Sequence, residues 1–407
     1  MKSFVNSYHK SKGYTRHNFN SNYKPRKHYN NRSHRYFKRS NISVDRLVHK
    51  VSDTKAVEIY VKDYQCSQFE VSNILKKNIQ NKGYTNPTKI QYAAIPKILA
   101  GKDVLGTACT GSGKTAAFLI PMINKILSVP SSKCLIIVPT RELAIQILDE
   151  ARDLSKNTNI KSTLIIGGSN MKRQIDRLRH NPELIIATPG RLKDLVQRNK
   201  INLATINNIV LDEVDRMLDM GFIKDIKFII ERLNTKRQSL FFAATMNTKT
   251  EALANTFLNT PVKIETETPG PNTCVDQDVV KIGRNDKKVE VLLKILKNKE
   301  VKKVLIFTET KRGADRLCKE LKYNKLFVDS LHGNKRQGQR TRIINSFRNG
   351  TIDVLVATDI ASRGIDILNI SHIINYSMPH TYDDYIHRIG RTGRAGKTGH
   401  ALTFIKA

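Results

Sequence analysis

Short, mainly apolar runs alternate along most of this chain with longer stretches whose apolar residues recur every three or four positions. The apolar runs are Asp103 to Thr107, Cys134 to Val138, Ser162 to Ile166, Glu183 to Ala187, Asn208 to Leu211 and Ser239 to Ala243. Helical spacing lies between them, as in Ala116 to Leu127, Arg141 to Leu154 and Met171 to Leu178. Upstream, Val71 to Ile79 reads as a helix closed by Gly83, and a second helix opens at Pro87-Thr88 and runs through Ile95 to Leu99. Strands that are apolar on both faces and alternate with helices predict an α/β fold, with a parallel sheet covered on both sides. Ligands on such sheets bind beyond the C-terminal strand ends, so the chemistry is expected just after the apolar runs.

The octet Ala108 to Thr115 follows the first strand and opens a helix. Thr110, Gly111, Ser112 and Gly113 let the backbone curl so that its N–H groups point at phosphate oxygens. Lys114 can reach the outer phosphates, and the Thr115 hydroxyl can take a place on Mg²⁺. The general phosphate-loop pattern has Gly where this chain has Ala108, and an ordinary glycine-rich turn is the competing reading. Asp212 and Glu213 follow the strand ending at Leu211. An acidic pair there, downstream of a phosphate loop, suits an Asp212 that holds the metal and a Glu213 that activates the attacking water.

Between Thr260 and Gly283 the alternation breaks around Pro261, Pro269, Gly270 and Pro271, which predicts a linker. It resumes with Val304 to Phe307, Leu326 to Asp329, Val354 to Ala357, His372 to Ile374 and Ala401 to Phe404. This second half has no phosphate loop. It carries His387-Arg388-Ile389-Gly390-Arg391-Thr392-Gly393-Arg394, whose arginines suit a phosphate clamp.

Charge adds a partner. Lys and Arg number 70 against 36 Asp and Glu, a formal net charge of +34 that attracts polyanions. Residues 1 to 44 hold no acidic residue, eleven Lys or Arg and eight aromatics, with too few aliphatics for a core. They read as a disordered basic arm able to attract phosphate and stack on unpaired bases. No apolar run is long enough to predict a membrane span, and none near Met1 predicts a secretory signal. Five scattered cysteines, Cys66, Cys109, Cys134, Cys274 and Cys318, predict reduced thiols in a cytoplasmic compartment rather than disulfides or zinc.

Taken together, these residues resemble the DEAD-box ATP-dependent RNA helicases of superfamily 2, from about Tyr64 to Ala407. The resemblance is carried by Gly83-Tyr84 with Thr88 and Gln91, by Ala108 to Thr115, and by Pro139 to Leu143. Gly167-Gly168, Thr188 to Arg191, Asp212 to Asp215 and Ala243 to Thr245 continue it, followed by Leu305 to Phe307, Gln337 to Arg340, Val356 to Asp366 and Tyr385 to Gly396. It implies two tandem RecA-like domains, at 61–265 and 284–407, joined by a linker at 266–283 and preceded by a basic extension at 1–60.

The resemblance also implies roles. Thr88 and Gln91 would read adenine, Asp366 would touch the ribose, and ATP with Mg²⁺ would be bound. Arg391 and Arg394 would act as arginine fingers, each worth roughly 10³- to 10⁵-fold in rate, and His387 would couple the cleft to Asp215. RNA backbone would lie on Pro139, Thr140, Arg141, Gly168, Thr188 and Arg191, and on Gln337, Arg340, Thr358, Asp359 and Arg363. The expected activity is RNA-dependent ATP hydrolysis by a monomer that separates short duplexes or remodels ribosomal or other ribonucleoprotein complexes. The alternative is an ATP-gated RNA clamp or chaperone that unwinds weakly.

Three positions depart from the family pattern. Val214 stands for Ala in Asp-Glu-Ala-Asp, a packing change. Ala243 stands for Ser in Ser-Ala-Thr, removing a hydroxyl expected to bond the Asp212 to Asp215 segment. Cys66 occupies the place of an aromatic expected to stack on adenine, leaving Tyr64 or Phe69 as substitutes.

Overall fold

A computed structural model of the protein describes residues 42–51, 60–109, 111–266, 274–298, 300–362, 370–393 and 398–407. The apolar runs become parallel strands because both of their faces are covered. Cys134–Ile137 (β2), Leu184–Ala187 (β4), Asn208–Leu211 (β5) and Gln238–Ala243 (β6) are buried along their whole length. With Val104–Thr107 (β1), Ser162–Ile165 (β3) and Val262–Glu265 (β7) they form a sheet of order β3-β4-β2-β5-β6-β1-β7. All of its pairings are parallel. One face packs under the helices Lys89–Leu99, Lys114–Ser128 and Arg141–Leu154, where Phe118 meets Phe242 at 5.5 Å between ring centres. Burying side chains of that size contributes roughly 1.5 to 3 kcal/mol each.

The second sheet comprises Val275–Ile282 (β8), Val304–Phe307 (β9), Val328–Leu331 (β10), Val354–Ala357 (β11), His372–Asn375 (β12) and Gly399–Lys406 (β13). Its order is β10-β11-β9-β12-β13-β8, again wholly parallel. Two parallel sheets, each flanked by helices, match the predicted α/β class.

Two segments differ from expectation. The predicted linker at 266–283 contains β8. In this strand the half-buried Asp276 and Asp278 alternate with the buried Val275 and Gln277, and an edge strand needs no continuous apolar run. The basic extension expected at 1–60 contains an ordered piece. Val44–Leu47 is a 3₁₀ turn whose Leu47 is fully buried in the core of the second sheet, among residues far away in sequence. The rest of that extension, 1–41 and 52–59, lies outside the described residues, as do Thr110, Arg363, Asp366 and Arg394. No helix among the described residues is long and apolar enough to cross a membrane.

Candidate nucleotide and RNA sites

The phosphate loop sits at the end of β1, ahead of the helix Lys114–Ser128. Gly113 caps that helix at φ 92, a left-handed conformation natural to glycine. A Cβ there would come within 2.5 Å of Gln91 Nε2 and 2.9 Å of Thr88 Oγ1, so no larger residue fits. Gln91 is held at both ends: its Oε1 accepts from Thr88 N–H at 3.0 Å, and its Nε2 donates to the Gly113 carbonyl at 3.1 Å. The pair expected to read adenine thus abuts the phosphate loop directly. Lys114 is buried and donates to the Ala108 carbonyl of its own loop.

Buried hydroxyls in this corner lack partners: Thr88 Oγ1 and Ser112 Oγ. A buried cation, two orphaned hydroxyls and a helix N-terminus together fit the phosphates and base of a nucleotide. Of the two substitutes for the missing adenine stacker, Phe69 is buried in the core. Tyr64 is only partly buried and packs edge-on against Tyr92, with 5.0 Å between centres. Cys66 is buried, which pushes its thiol up to about 11.

Asp212 and Glu213 follow β5, as its pattern predicts. Asp212 Oδ1 accepts from Glu213 N–H at 2.9 Å. Burial pushes the Asp212 carboxyl up to about 7, against the pull of Lys114. Glu213 is equally buried, which by itself would raise its carboxyl. The charges of Arg216, Arg391 and Lys114 outweigh burial, and it lies below the ordinary value. Glu213 also adopts φ 53, uncommon for a side-chain-bearing residue and costing about 1 to 3 kcal/mol. That strain sits where a water-activating carboxylate is expected.

Across the cleft stand His387, at the end of the helix Tyr382–Ile389, and the buried Arg391 just beyond it. The imidazole was expected to serve Asp215, and Asp215 does act on it electrostatically. Its hydrogen bond, however, is with Arg216 Nη2 at 3.1 Å, while Arg216 Nη1 donates to Glu213 Oε2 at 3.1 Å. Sequence pattern alone does not single out Arg216. Its only signal was its place three residues after Glu213, one helical turn along. Asp215 Oδ2 instead accepts from Ala244 N–H, Thr245 N–H and Thr245 Oγ1, at 3.2, 3.0 and 3.0 Å. Asp215 Oδ1 is buried without a hydrogen-bond partner. Val214, buried in the core, opens the short helix Val214–Asp219, so its extra methyls are absorbed by packing.

A second cavity, of about 480 Å³, is lined by Pro139, Thr140, Arg141, Thr188, Arg191 and Arg340, among others. Arg141 lies against Gly168, whose φ of 74 and missing side chain admit the guanidinium. Burial lowers the Arg141 pKa, and the neighbouring charges of Arg340 and Arg191 lower it further, against Glu142. Three guanidinium groups crowding one another is an arrangement that an anion relieves. Arg340 is also a structural bridge. Its Nε donates to Glu142 Oε1 at 2.7 Å, and its Nη1 and Nη2 donate to the His332 and Ala361 carbonyls. Gln337 Nε2 reaches the same Glu142 oxygen at 3.2 Å. Asp359 is gripped by Arg388, at 2.6 and 2.8 Å, so its carboxylate is already engaged. Thr358 is buried beside it. Glu142 and Arg388 stand within the quoted motifs, but spacing gives no hint that Glu142 pairs with Arg340 or Arg388 with Asp359.

Two parallel-sheet domains, with a phosphate loop on one and Arg391 of the other acting on its Glu213, define a cleft NTPase. The chain belongs to the DEAD-box RNA helicase family. The DEAD/DEAH box helicase profile matches residues 88–253, and the helicase conserved C-terminal domain profile matches residues 287–396. It is 42% identical over 330 residues to the DEAD-box ATP-dependent RNA helicase RhpA of Helicobacter pylori, covering 81% of this chain and 67% of that protein. It is 40% identical over 338 residues to the DEAD-box ATP-dependent RNA helicase CshA of Bacillus subtilis, covering 83% and 68%. The chain therefore spans about two thirds of the length of these relatives. Among solved structures, S. cerevisiae Dbp5 bound to RNA and ADP BeF3 superposes with a TM-score of 0.74 at 31% identity, covering 83% of this chain and 88% of that one.

Proposed function

We propose that this protein hydrolyses ATP when RNA is bound and uses the accompanying domain closure to separate short RNA duplexes or remodel RNA–protein complexes. The observation that carries this is the reach of His387 and Arg391, from the second domain, to Arg216 and Glu213 on the first. Hydrolysis can then proceed only while both domains are together. In this reading the base meets Thr88 and Gln91, with the ribose at Asp366. Phosphates meet the loop from Thr110 to Thr115, with Lys114 on the outer ones.

Magnesium fits as a further cofactor. It needs only one or two protein oxygens beside phosphate and water, and Asp212 with Thr115 supplies them. Glu213 orients and deprotonates the attacking water, and Arg391 with Arg394 meets the charge that develops on the transferred phosphate. The arginine-lined cavity, with Pro139, Thr140, Gly168, Thr188 and Gln337, carries RNA phosphates. Thr358, Asp359 and Arg363 extend that track. Contacts of this kind are largely blind to sequence. The free thiols support a reducing cytoplasm as its setting.

A clamp with weak unwinding is favoured by one observation, the unpartnered Asp215 Oδ1 beside a segment where Ala243 supplies no hydroxyl. ATP hydrolysis measured with and without single-stranded RNA, beside strand separation of a short duplex, decides between them. Glu213→Gln serves as the inactive control. Stimulated hydrolysis with separation is expected. Stimulated hydrolysis without it makes the protein a clamp, and no hydrolysis overturns both.

A further inference from the structure

Residues Ile42 to Val51 precede the first domain in the chain but pack on the second. Leu47 is fully buried in the cluster that holds Val275, Tyr385 and Ile389. His49 and Gln277 exchange both backbone hydrogen bonds, at 3.0 and 2.7 Å, adding an antiparallel rung to the edge strand β8. Val51 N–H donates to Asp276 Oδ1 at 2.8 Å, and the Arg46 guanidinium stands 5.4 Å over the Tyr382 ring. Lys50 and Asp278 pair at 3.3 Å, but exposed, so that contact adds little.

The chain next touches the first domain at a telling place. Tyr60 bridges Thr88, and Val61 N–H donates to the Pro87 carbonyl at 2.9 Å. Thr88 caps the helix that carries Gln91, so the incoming chain is fastened to the adenine-reading segment itself.

We infer that Ile42 to Val51 is a strap, a second tether between the two domains. The inference rests on the closure reading given above. Covalent geometry lets Val51 and Tyr60 part by no more than about 30 Å. The other connection, from Thr266 to Cys274, has a similar upper bound of about 30 Å. One tether permits rotation about any axis. Two tethers at separate points limit how far and in which directions the second domain can swing away. The strap keeps that domain close to the first between turnovers, at a raised effective concentration. It also ties the second domain's position to the segment that reads the base.

Hydrogen exchange on the full nucleotide-free chain tests the docking. His49 and Gln277 amides should exchange slowly. Exchange across 44–51 as fast as in an unstructured peptide overturns the strap. X-ray scattering tests the tethering. Leu47→Asp should enlarge the maximum dimension of the nucleotide-free chain, and ATP analogue with RNA should restore it. Leu47→Asp could disturb the core, so His49→Pro, which removes one backbone donor, is the second variant. In both variants the RNA concentration for half-maximal hydrolysis should rise roughly threefold or more, with little change at saturation. Scattering identical to the parent in both variants overturns the tether. Exchange and scattering require no catalysis, so failure of the strap and failure of the enzymatic reading are separate results.

Discussion

Arg216 and His387 meet across the cleft, with the guanidinium Nη2 donating to imidazole Nδ1 at 3.1 Å. A guanidinium can only donate, so Nδ1 accepts, and the ring is neutral with its proton on Nε2. Burial, then Arg216 and Arg391, hold its pKa down at about 4, against Asp215 and Glu213. The contact links the second domain to Arg216, whose other arm holds Glu213.

The link should be cooperative. Arg216→Ala and His387→Ala are each expected to cut RNA-stimulated hydrolysis by tenfold or more. The double variant should be little worse than either, with a coupling of about 1 to 3 kcal/mol. A double-mutant cycle on RNA-stimulated hydrolysis reads this, and strictly additive losses would show that the contact carries no coupling.

His387 also predicts an acid limb. Its folded pKa of about 4 lies below its ordinary value of 6.5, so the unfolded chain binds the extra proton first. Its contribution to stability is present above pH 6.5 and is lost as pH falls toward 4. His387→Gln should flatten the pH dependence of the unfolding midpoint in that window and leave it unchanged above pH 7.

Asp212 titrates in the opposite sense. Its carboxyl, raised to about 7 by burial, binds a proton that the unfolded chain sheds near 3.8. The nucleotide-free fold therefore loses stability as pH climbs between those values. At pH 8, Asp212→Asn is expected to raise stability by about 1 to 3 kcal/mol while abolishing hydrolysis. The same carboxylate must be ionised to hold Mg²⁺, so hydrolysis at limiting Mg²⁺ should fall below pH 7 and recover with added metal. Thermal unfolding and a magnesium titration at pH 6 and 8 test both parts.

Asp215 Oδ1 is buried and unpaired, and residue 243 adjoins the Ala244 and Thr245 amides that bind the other oxygen. Ala243→Ser restores a donor in that place. It should raise stability by about 1 kcal/mol and the number of duplexes separated per ATP consumed. An unchanged ratio of the two rates would dismiss Ala243 as the cause of weak unwinding.

Glu142 and Arg340 form a buried pair between the domains. Arg340→Ala leaves Glu142 with an uncompensated buried charge and should cost about 3 to 5 kcal/mol of interdomain stability. Glu142→Gln with Arg340→Met removes both charges and should recover most of that loss. RNA affinity should not recover with it if Arg340 also faces the phosphate track. Chemical unfolding beside RNA titration separates the two roles.

The parallel sheets were legible in the sequence, because short apolar runs alternating with amphipathic helices suit strands covered on both faces. The sequence by itself also marked where the chemistry is expected. The phosphate loop, Asp212 with Glu213 and the His387 to Arg391 turn each follow a local pattern of glycine, carboxylate or arginine at fixed spacing. It did not disclose β8, whose alternation is that of an edge, nor the docking of Leu47. Only the tertiary structure decided the partners. Arg216 with His387 are 171 residues apart and Arg340 with Glu142 are 198 apart. Such pairs depend on how two sheets face each other, and short-range periodicity carries no information about that. A charged residue one helical turn from a catalytic carboxylate looks like any solvated side chain until the opposing domain removes the water around it.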